Sequence, residues 1–147
     1  MSEPGAGRAL FSFVRHWSRR WNGTADGERA ARGRDVLAVE AVNALSHGSD
    51  PTVNDVAAEL GLDQSNASRL LTHAAEAGYL ALSRSAVDRR QRTVTLTASG
   101  HQLLAAAHVW QDSVFEALTA EWTDGERAAF EQAMRRLVEK SPDLSSS

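Results

Sequence analysis

The 147-residue chain carries a net charge of −3, is 42% apolar and contains no cysteine. Its length fits one domain, with or without a helical extension, and the lack of cysteine excludes disulfides and thiolate zinc sites. No apolar run approaches the roughly 18 residues of a membrane span, and the first ten residues lack the apolar stretch of a signal peptide. We therefore expect a cytoplasmic protein.

Charge is distributed unevenly along the chain. Seven arginines face two acids between Arg8 and Arg34, and four arginines face Asp88 between Arg84 and Arg92. From Asp112 onward, eight acids face four bases. A small negative net charge argues against general nucleic-acid binding. A focused basic patch nevertheless suits a specific DNA-binding protein, because only the contact face must match phosphate.

Two helices are predicted in the N-terminal third. Residues 1–7 are small and contain Gly and Pro, so we expect a flexible terminus. Apolar side chains three and four apart predict an amphipathic helix over Ala9–Trp21, and NGTADG at 22–27 should end it. The dense apolar residues of 34–46 predict a buried helix. We assign 8–46 to N-terminal helices that serve dimerisation or line a ligand cleft.

Two short helices separated by a tight turn are predicted next. Thr52 can cap the first helix, with Asp55 in its first turn, where an acid suits the helix dipole. Gly61 can adopt the left-handed conformation that ends this helix. Asp63 can cap the second helix, which Gly78 should stop. This arrangement is a helix-turn-helix.

A basic hairpin follows the second helix. The alternating segments 80–85 and 92–97 predict two strands, joined by a turn through residues 87–90. The hairpin and the preceding helices predict a winged helix-turn-helix DNA-binding domain over 52–97. Such a domain presents one helix to a DNA groove and the hairpin to the flanking backbone.

The C-terminal third is predicted to be helical. Apolar residues three or four apart favour a long helix over 98–121, and Thr123 with Glu126 forms a capping box for a final helix. We assign 98–140 to dimerisation helices, because their apolar faces exceed the needs of one small domain, and 141–147 to a disordered tail. The predicted fold is mainly α with a small β-hairpin, in the order α-α-α-α-β-β-α-α.

The second helix of the motif carries the candidate base-reading residues. Its apolar residues should face the core, which leaves a polar set for DNA: Gln64, Ser65, Asn66, Ser68, Arg69, Thr72 and His73. Arginine pairs with guanine and asparagine with adenine in the major groove. Asn66 and Arg69 are three apart and share one helix face. A solvated polar helix face is the alternative, and the adjoining turn and basic hairpin disfavour it.

The hairpin tip supplies the candidate backbone contacts, Arg84, Asp88, Arg89, Arg90 and Arg92. Arginines on a narrow projection can enter the minor groove. Asp88 would repel phosphate, so we expect it to hold Arg90 or another wing arginine in one rotamer before DNA binds. An ordinary solvated charged turn is the alternative.

The same residues resemble the MarR (multiple-antibiotic-resistance) family of bacterial regulators. The similarity is close over Thr52–Gly100, which contains QSNASRLL, AGYL and DRRQRTVTLTASG, and its signature residues are Asp88, Arg90, Leu96, Thr97 and Gly100. The flanking helices agree in position and pattern, whereas NGTADGERAARGRD and the helix after it depart from the family. The resemblance implies a homodimer with interlocked terminal helices that represses promoters and often releases them on binding a small phenolic or similar ligand.

Other chemistry has weaker support. His101 and His108 share a helix face, but no third ligand is placed, so we expect no metal site. No phosphate loop or hydrolase motif occurs, so we expect neither an enzyme nor a cofactor. The four tryptophans are predicted to fill a dimer core. The alternative is a ligand cleft that would include His16, Trp17 and Trp110.

The sequence therefore predicts a dimeric, sequence-specific DNA-binding transcriptional regulator, most simply a repressor on a pseudo-palindromic operator. Two alternatives stay open. One is an architectural or non-specific winged-helix DNA binder. The other is a winged-helix interaction module without DNA contact, against which the basic hairpin argues.

Overall fold

The computed structural model describes residue 3 and residues 5–21 and 27–145. Within these residues the predicted order of helices and strands is confirmed. The elements are α1 Ala6–Trp21, α2 Gly27–Leu45, α3 Val53–Leu60, α4 Gln64–Glu76, β1 Leu80–Arg84, β2 Arg92–Leu96, α5 Ala98–Leu118 and α6 Asp124–Ser145. The expected break lies outside the described residues except for Gly27, which begins α2.

Three helices are longer than the sequence predicts. α1 starts at Ala6 rather than at Ala9, so residues 6 and 7 are helical where a flexible terminus was expected. α2 starts at Gly27 rather than at Arg34, so it includes much of the segment that was expected to connect two helices. α6 continues to Ser145, so residues 141–145 are helical where a disordered tail was expected. The Ser141 and Ser145 hydroxyls donate to the carbonyls of Leu137 (2.6 Å) and Ser141 (3.0 Å). These bonds occupy carbonyls near the helix end.

The chain divides into two compact units, Met1–Ala107 and His108–Ser147, with the boundary inside α5. The core of the first unit is built from α2, α3, α4 and the hairpin. Its fully buried apolar side chains include Val39, Val42, Val56, Leu71 and Val94. α4 therefore packs one face against α2 and α3, and its other face is exposed to solvent.

The predicted helix ends are confirmed. Thr52 and Asp55 form a reciprocal capping box, with the Asp55 N–H donating to the Thr52 hydroxyl at 3.1 Å and the Thr52 N–H donating to Asp55 Oδ2 at 2.9 Å. Gly61 ends α3 at φ +65°, a left-handed conformation that favours glycine. Asp63 caps α4 by accepting the Asn66 N–H at 2.7 Å. These caps fix the turn between the two helices.

Thr97 and Gly100 join the hairpin to α5. The Thr97 hydroxyl donates to the Gly78 carbonyl at 2.6 Å and accepts the Gly100 N–H at 3.1 Å. The Thr97 N–H donates to the Tyr79 carbonyl at 3.1 Å. A Cβ on Gly100 would overlap that same carbonyl oxygen, so the close approach requires glycine here.

The wing is also tied to the start of α3. Thr52 and Thr93 form an isolated antiparallel bridge, and the Val94 N–H donates to the Pro51 carbonyl at 2.9 Å. No local pattern in the sequence predicts this contact. It gives β2 a second neighbour and fixes the base of the hairpin against the helix-turn-helix.

The second unit is organised around its aromatic residues. Phe130 stacks on Phe115, with ring centres 6.3 Å apart, and meets Trp122 edge-on at 5.2 Å. Thr123 and Glu126 form the predicted capping box through two hydrogen bonds of 3.1 Å. Arg127 Nε donates to the Thr119 carbonyl at 3.0 Å, which closes the turn before α6.

The terminal helices keep apolar side chains exposed. On α1 these include Phe13 and Val14, and on α6 they include Leu137 and Val138, which is 72% exposed. Among the described residues, no helix is both long and apolar enough to cross a membrane.

Candidate DNA-binding interface

α4 presents the polar face that the sequence predicts. Ala67, Leu71 and Ala74 are buried against the core. Of the candidate base-reading residues, four are exposed in the N-terminal half of the helix: Gln64, Ser65, Asn66 and Arg69. Ser68 and Thr72 are half-buried at the margin. The exposed half is the part that a recognition helix inserts into the major groove.

A chain of hydrogen bonds orders this exposed half. Arg69 Nη2 donates to Asn66 Oδ1 at 2.8 Å, and Asn66 Nδ2 donates to Asp63 Oδ2 at 2.9 Å. Asp63 was expected only to cap the helix backbone. Its second oxygen also orients the Asn66 amide, and that amide in turn orients the Arg69 guanidinium. Preordered side chains lose less conformational entropy when they bind.

His73 differs from the other candidates. Its Nδ1 lies 2.9 Å from Oδ1 of Asp35, a buried residue of α2. Sequence reasoning missed Asp35, because the two residues are 38 positions apart and no local pattern links them. His73 thus contacts the neighbouring helix, whereas Arg69 and Asn66 contact each other.

The wing brings its four arginines together. They line a cavity of about 490 Å³ with Leu82 and Ser83. Arg84 and Arg92 are directly paired across the two strands. Like charges placed opposite each other destabilise a hairpin, so this pair costs stability in the free protein. An anion such as a DNA phosphate would relieve that repulsion.

Asp88 holds the wing turn in a way the sequence analysis did not predict. Its Oδ1 accepts the backbone N–H of Arg90 at 3.0 Å, and its own N–H donates to the Ser85 hydroxyl at 3.3 Å. In the part of the chain that the structure describes, no ion pair joins Asp88 to a wing arginine. The prediction that Asp88 orients an arginine side chain is therefore wrong. The carboxylate shapes the backbone of the turn instead.

Neutralising Arg84 is expected to stabilise the free protein while weakening its binding to DNA. Arg84→Gln removes the cross-strand repulsion with Arg92, which raises the free energy of unfolding by about 0.2–1 kcal/mol. It also removes one candidate phosphate contact, so the slope of log K against log salt should fall by about 0.9. Urea unfolding and DNA binding at several salt concentrations measure the two effects. Arg136→Gln, an exposed change on α6, is the control and should leave the salt slope unchanged.

Two substitutions at Asp88 separate its backbone role from its charge. Asp88→Asn keeps an oxygen that can accept the Arg90 N–H and removes a charge that repels phosphate, so DNA binding should be unchanged or tighter. Asp88→Ala loses the acceptor and loosens the turn, and we expect binding to weaken about 2- to 10-fold. Fluorescence anisotropy with labelled duplex DNA measures both. Equal weakening by the two variants would contradict the backbone role.

The candidate ligand-cleft residues lie in both units. His16 and Trp17 contact each other edge-on on α1, with ring centres 5.3 Å apart, and Trp17 is half-buried. Trp110, on α5, belongs to the second unit and is 45% exposed. The Trp21 side chain lies outside the described part. Among the described residues, no three His, Cys, Asp or Glu side chains gather as a metal site would require.

Comparison with known proteins identifies the family that this interface resembles. The sequence pattern of the MarR family matches residues 33–91, from the middle of α2 to the wing. The chain has the fold of a MarR-family transcriptional regulator. The family pattern also extends upstream of Thr52, into the helix that the sequence analysis had set apart from it. A comparison with curated proteins returns no match.

Solved structures of MarR-family proteins share this fold. The crystal structure of MarR is 18% identical in sequence, with 99% of this chain and 97% of that chain covered and a TM-score of 0.75. MepR of S. aureus, in its complex with DNA, is 19% identical in sequence and has a TM-score of 0.64. The match covers 94% of this chain and 99% of the MepR chain. BpsR of Bordetella bronchiseptica is 19% identical in sequence and has a TM-score of 0.59, and its DNA binding is regulated by 6-hydroxynicotinic acid. The match covers 89% of this chain and 98% of the BpsR chain.

The MarR signature residues have two different roles here. Thr97 and Gly100 form the junction between the hairpin and α5, and Leu96 lies close to the Gly100 backbone. Asp88 shapes the wing turn through the Arg90 backbone. Much of the signature therefore stabilises the wing and its attachment, while the Arg90 side chain stays exposed.

Proposed function

We propose that this protein is a cytoplasmic, dimeric repressor that binds a pseudo-palindromic operator and releases it on binding a small molecule. Base recognition is assigned to the N-terminal half of α4, and phosphate contacts are assigned to the wing arginines. In this proposal the protein is a binding protein and has no catalytic role.

The observation that carries the proposal is the pairing of an ordered polar helix face with a basic hairpin in one compact unit. Arg69 is exposed and oriented by Asn66, and the four wing arginines surround one cavity. A guanidinium held in a fixed direction suits the bidentate recognition of a guanine edge. A cluster of arginines suits phosphate, which supplies affinity but little sequence preference. The DNA complex of MepR supports the same use of the fold.

Dimerisation is proposed from the exposed apolar faces of α1 and α6. Phe13 is 53% and Val138 72% exposed, and side chains of this size contribute most when they are buried. One winged domain also covers only one half-site of an operator. Sedimentation at micromolar concentration should give about twice the 15.9 kDa mass of the chain. A monomer under these conditions would contradict the proposed dimer.

Release by a small molecule is proposed from the family fold and from the aromatic residues of α1. The regulation of BpsR by 6-hydroxynicotinic acid supports an effector of the aromatic acid class. Quenching of tryptophan fluorescence by such acids, together with dissociation of bound DNA at the same concentrations, would support the effector. Quenching without dissociation would count against a regulatory role.

Selection of bound sequences from a random DNA pool tests the operator directly. A dimeric regulator should enrich a pseudo-palindrome whose half-site centres are about 10–10.5 bp apart, or a multiple of that spacing. A non-specific architectural protein should enrich no shared sequence. An interaction module without DNA contact should retain no DNA at physiological salt.

A further inference from the structure

Asp35 is a buried carboxylate in the middle of α2. It is 4% exposed. Burying a charge away from water is unfavourable unless the charge is paired or hydrogen-bonded. The partner is His73, one turn past Arg69 on α4, with 2.9 Å between His73 Nδ1 and Asp35 Oδ1. The pair therefore joins α2 to the candidate recognition helix.

The pair directs one ring nitrogen of His73 into the protein. An ionised carboxylate can only accept hydrogen bonds, so Nδ1 donates to Asp35. The His73 side chain is 51% exposed, yet its Nδ1 is directed to a buried residue of α2.

Apolar packing also joins the same two helices. Val39 and Val42 of α2 and Leu71 and Ala74 of α4 belong to one buried cluster. Burial of such side chains stabilises the contact between the helices but has no preferred direction. A hydrogen bond weakens steeply with misalignment. Among the described residues, the Asp35–His73 bond is a directional contact that orients α4 on α2.

Base readout is sensitive to this placement. Arg69 lies one turn from His73, and functional side chains must be held within about 0.5 Å and 10–20° of their productive geometry. The chain from Asp63 through Asn66 orders the Arg69 side chain locally. It cannot fix where the helix itself lies.

We propose that His73 is a positioning residue for base recognition, which acts through Asp35 and does not contact DNA. This inference rests on the proposed function. It assigns a role in sequence specificity to the Asp35–His73 pair, although Asp35 is buried and does not lie on the DNA-facing surface.

The test compares His73→Ala, Asp35→Ala, the double variant and His73→Asn with the unchanged protein. The Asn amide nitrogen can replace Nδ1 as the donor, so His73→Asn is the rescue control. Binding to the selected operator and to random duplex is measured by anisotropy at one salt concentration. We expect each alanine variant and the double variant to bind operator about tenfold more weakly, because they lose the same contact. Binding to random DNA should change less than about twofold, and His73→Asn should restore most of the loss.

Other results would overturn the proposal. Weaker binding by His73→Ala with normal binding by Asp35→Ala would make His73 a direct DNA contact. Equal losses on operator and random DNA, or no loss at all, would also contradict it. If Asp35→Ala does not fold, hydrogen exchange of His73→Ala and His73→Asn in the free protein still decides, since a direct DNA contact would not affect exchange in the absence of DNA.

Hydrogen exchange separates this inference from the proposed function. In the free protein, amides of the last turn of α4 should exchange faster in His73→Ala and at the normal rate in His73→Asn. If the unchanged protein prefers no DNA sequence, the proposed function fails regardless of this result. If exchange is the same in both variants, the pair does not restrain α4 and the inference fails.

Discussion

Replacing Gly100 with alanine is expected to lower the free energy of unfolding by about 1–3 kcal/mol, the usual range for overpacking a filled site. The new Cβ would overlap the Tyr79 carbonyl oxygen. That carbonyl cannot simply retreat, because it accepts the Thr97 N–H at 3.1 Å. Either the hairpin or the start of α5 has to move.

Gly125→Ala is the matched control for this substitution. Gly125 also lies in the first turn of a helix, but the atom nearest to its added Cβ is the Thr123 hydroxyl oxygen at 3.9 Å, an ordinary contact. Alanine there should be neutral or stabilising by about 0.4–1 kcal/mol, because it restricts the unfolded chain. Urea unfolding at one protein concentration compares the variants. Equal stability of Gly100→Ala and the unchanged protein would contradict the close approach at Tyr79.

Replacing Arg69 with alanine is expected to cost about 1–3 kcal/mol of operator affinity and to relax specificity at one base pair. The guanidinium is exposed and held by Asn66, so the substitution removes an oriented base contact. Arg69→Lys separates shape from charge, because lysine keeps the charge but lacks the planar fork. Anisotropy with operator variants changed at single base pairs measures the effect.

Both Arg69 variants should lose base discrimination, because neither keeps the planar fork. The salt dependence of binding to random DNA should change little for either variant, because Arg69 is assigned to a base edge and not to a phosphate. Equal losses on the operator and on random DNA would show that Arg69 contacts phosphate rather than a base.

Local features of the fold could be predicted from the sequence because their causes are local. The capping boxes at Thr52 and Thr123 each require two side chains three positions apart. Gly61 ends α3 because it alone supplies a left-handed residue at that turn. Residue types at short spacings were enough to predict these ends.

Contacts between distant segments could not be predicted. The Asp35–His73 pair depends on how α2 and α4 pack, and the Thr52–Thr93 bridge depends on how β2 packs beside the start of α3. No spacing in the sequence encodes either contact. The role of Asp88 was misassigned for a related reason. A carboxylate beside arginines suggests an ion pair, whereas the turn geometry places the Arg90 backbone N–H within hydrogen-bond distance of Asp88 Oδ1. The length of α6 was underestimated because its end is rich in serine, whose hydroxyls here bond to helix carbonyls.

The central claim is that α4 reads a specific DNA sequence, and one ratio tests it most directly. The dissociation constants for the selected operator and for random duplex of equal length are compared at physiological salt, because phosphate contacts alone would bind both equally. We expect the operator to be bound at least about 10³-fold more tightly than random duplex. A ratio near one, with DNA still bound, would contradict it and leave a non-specific winged-helix DNA binder.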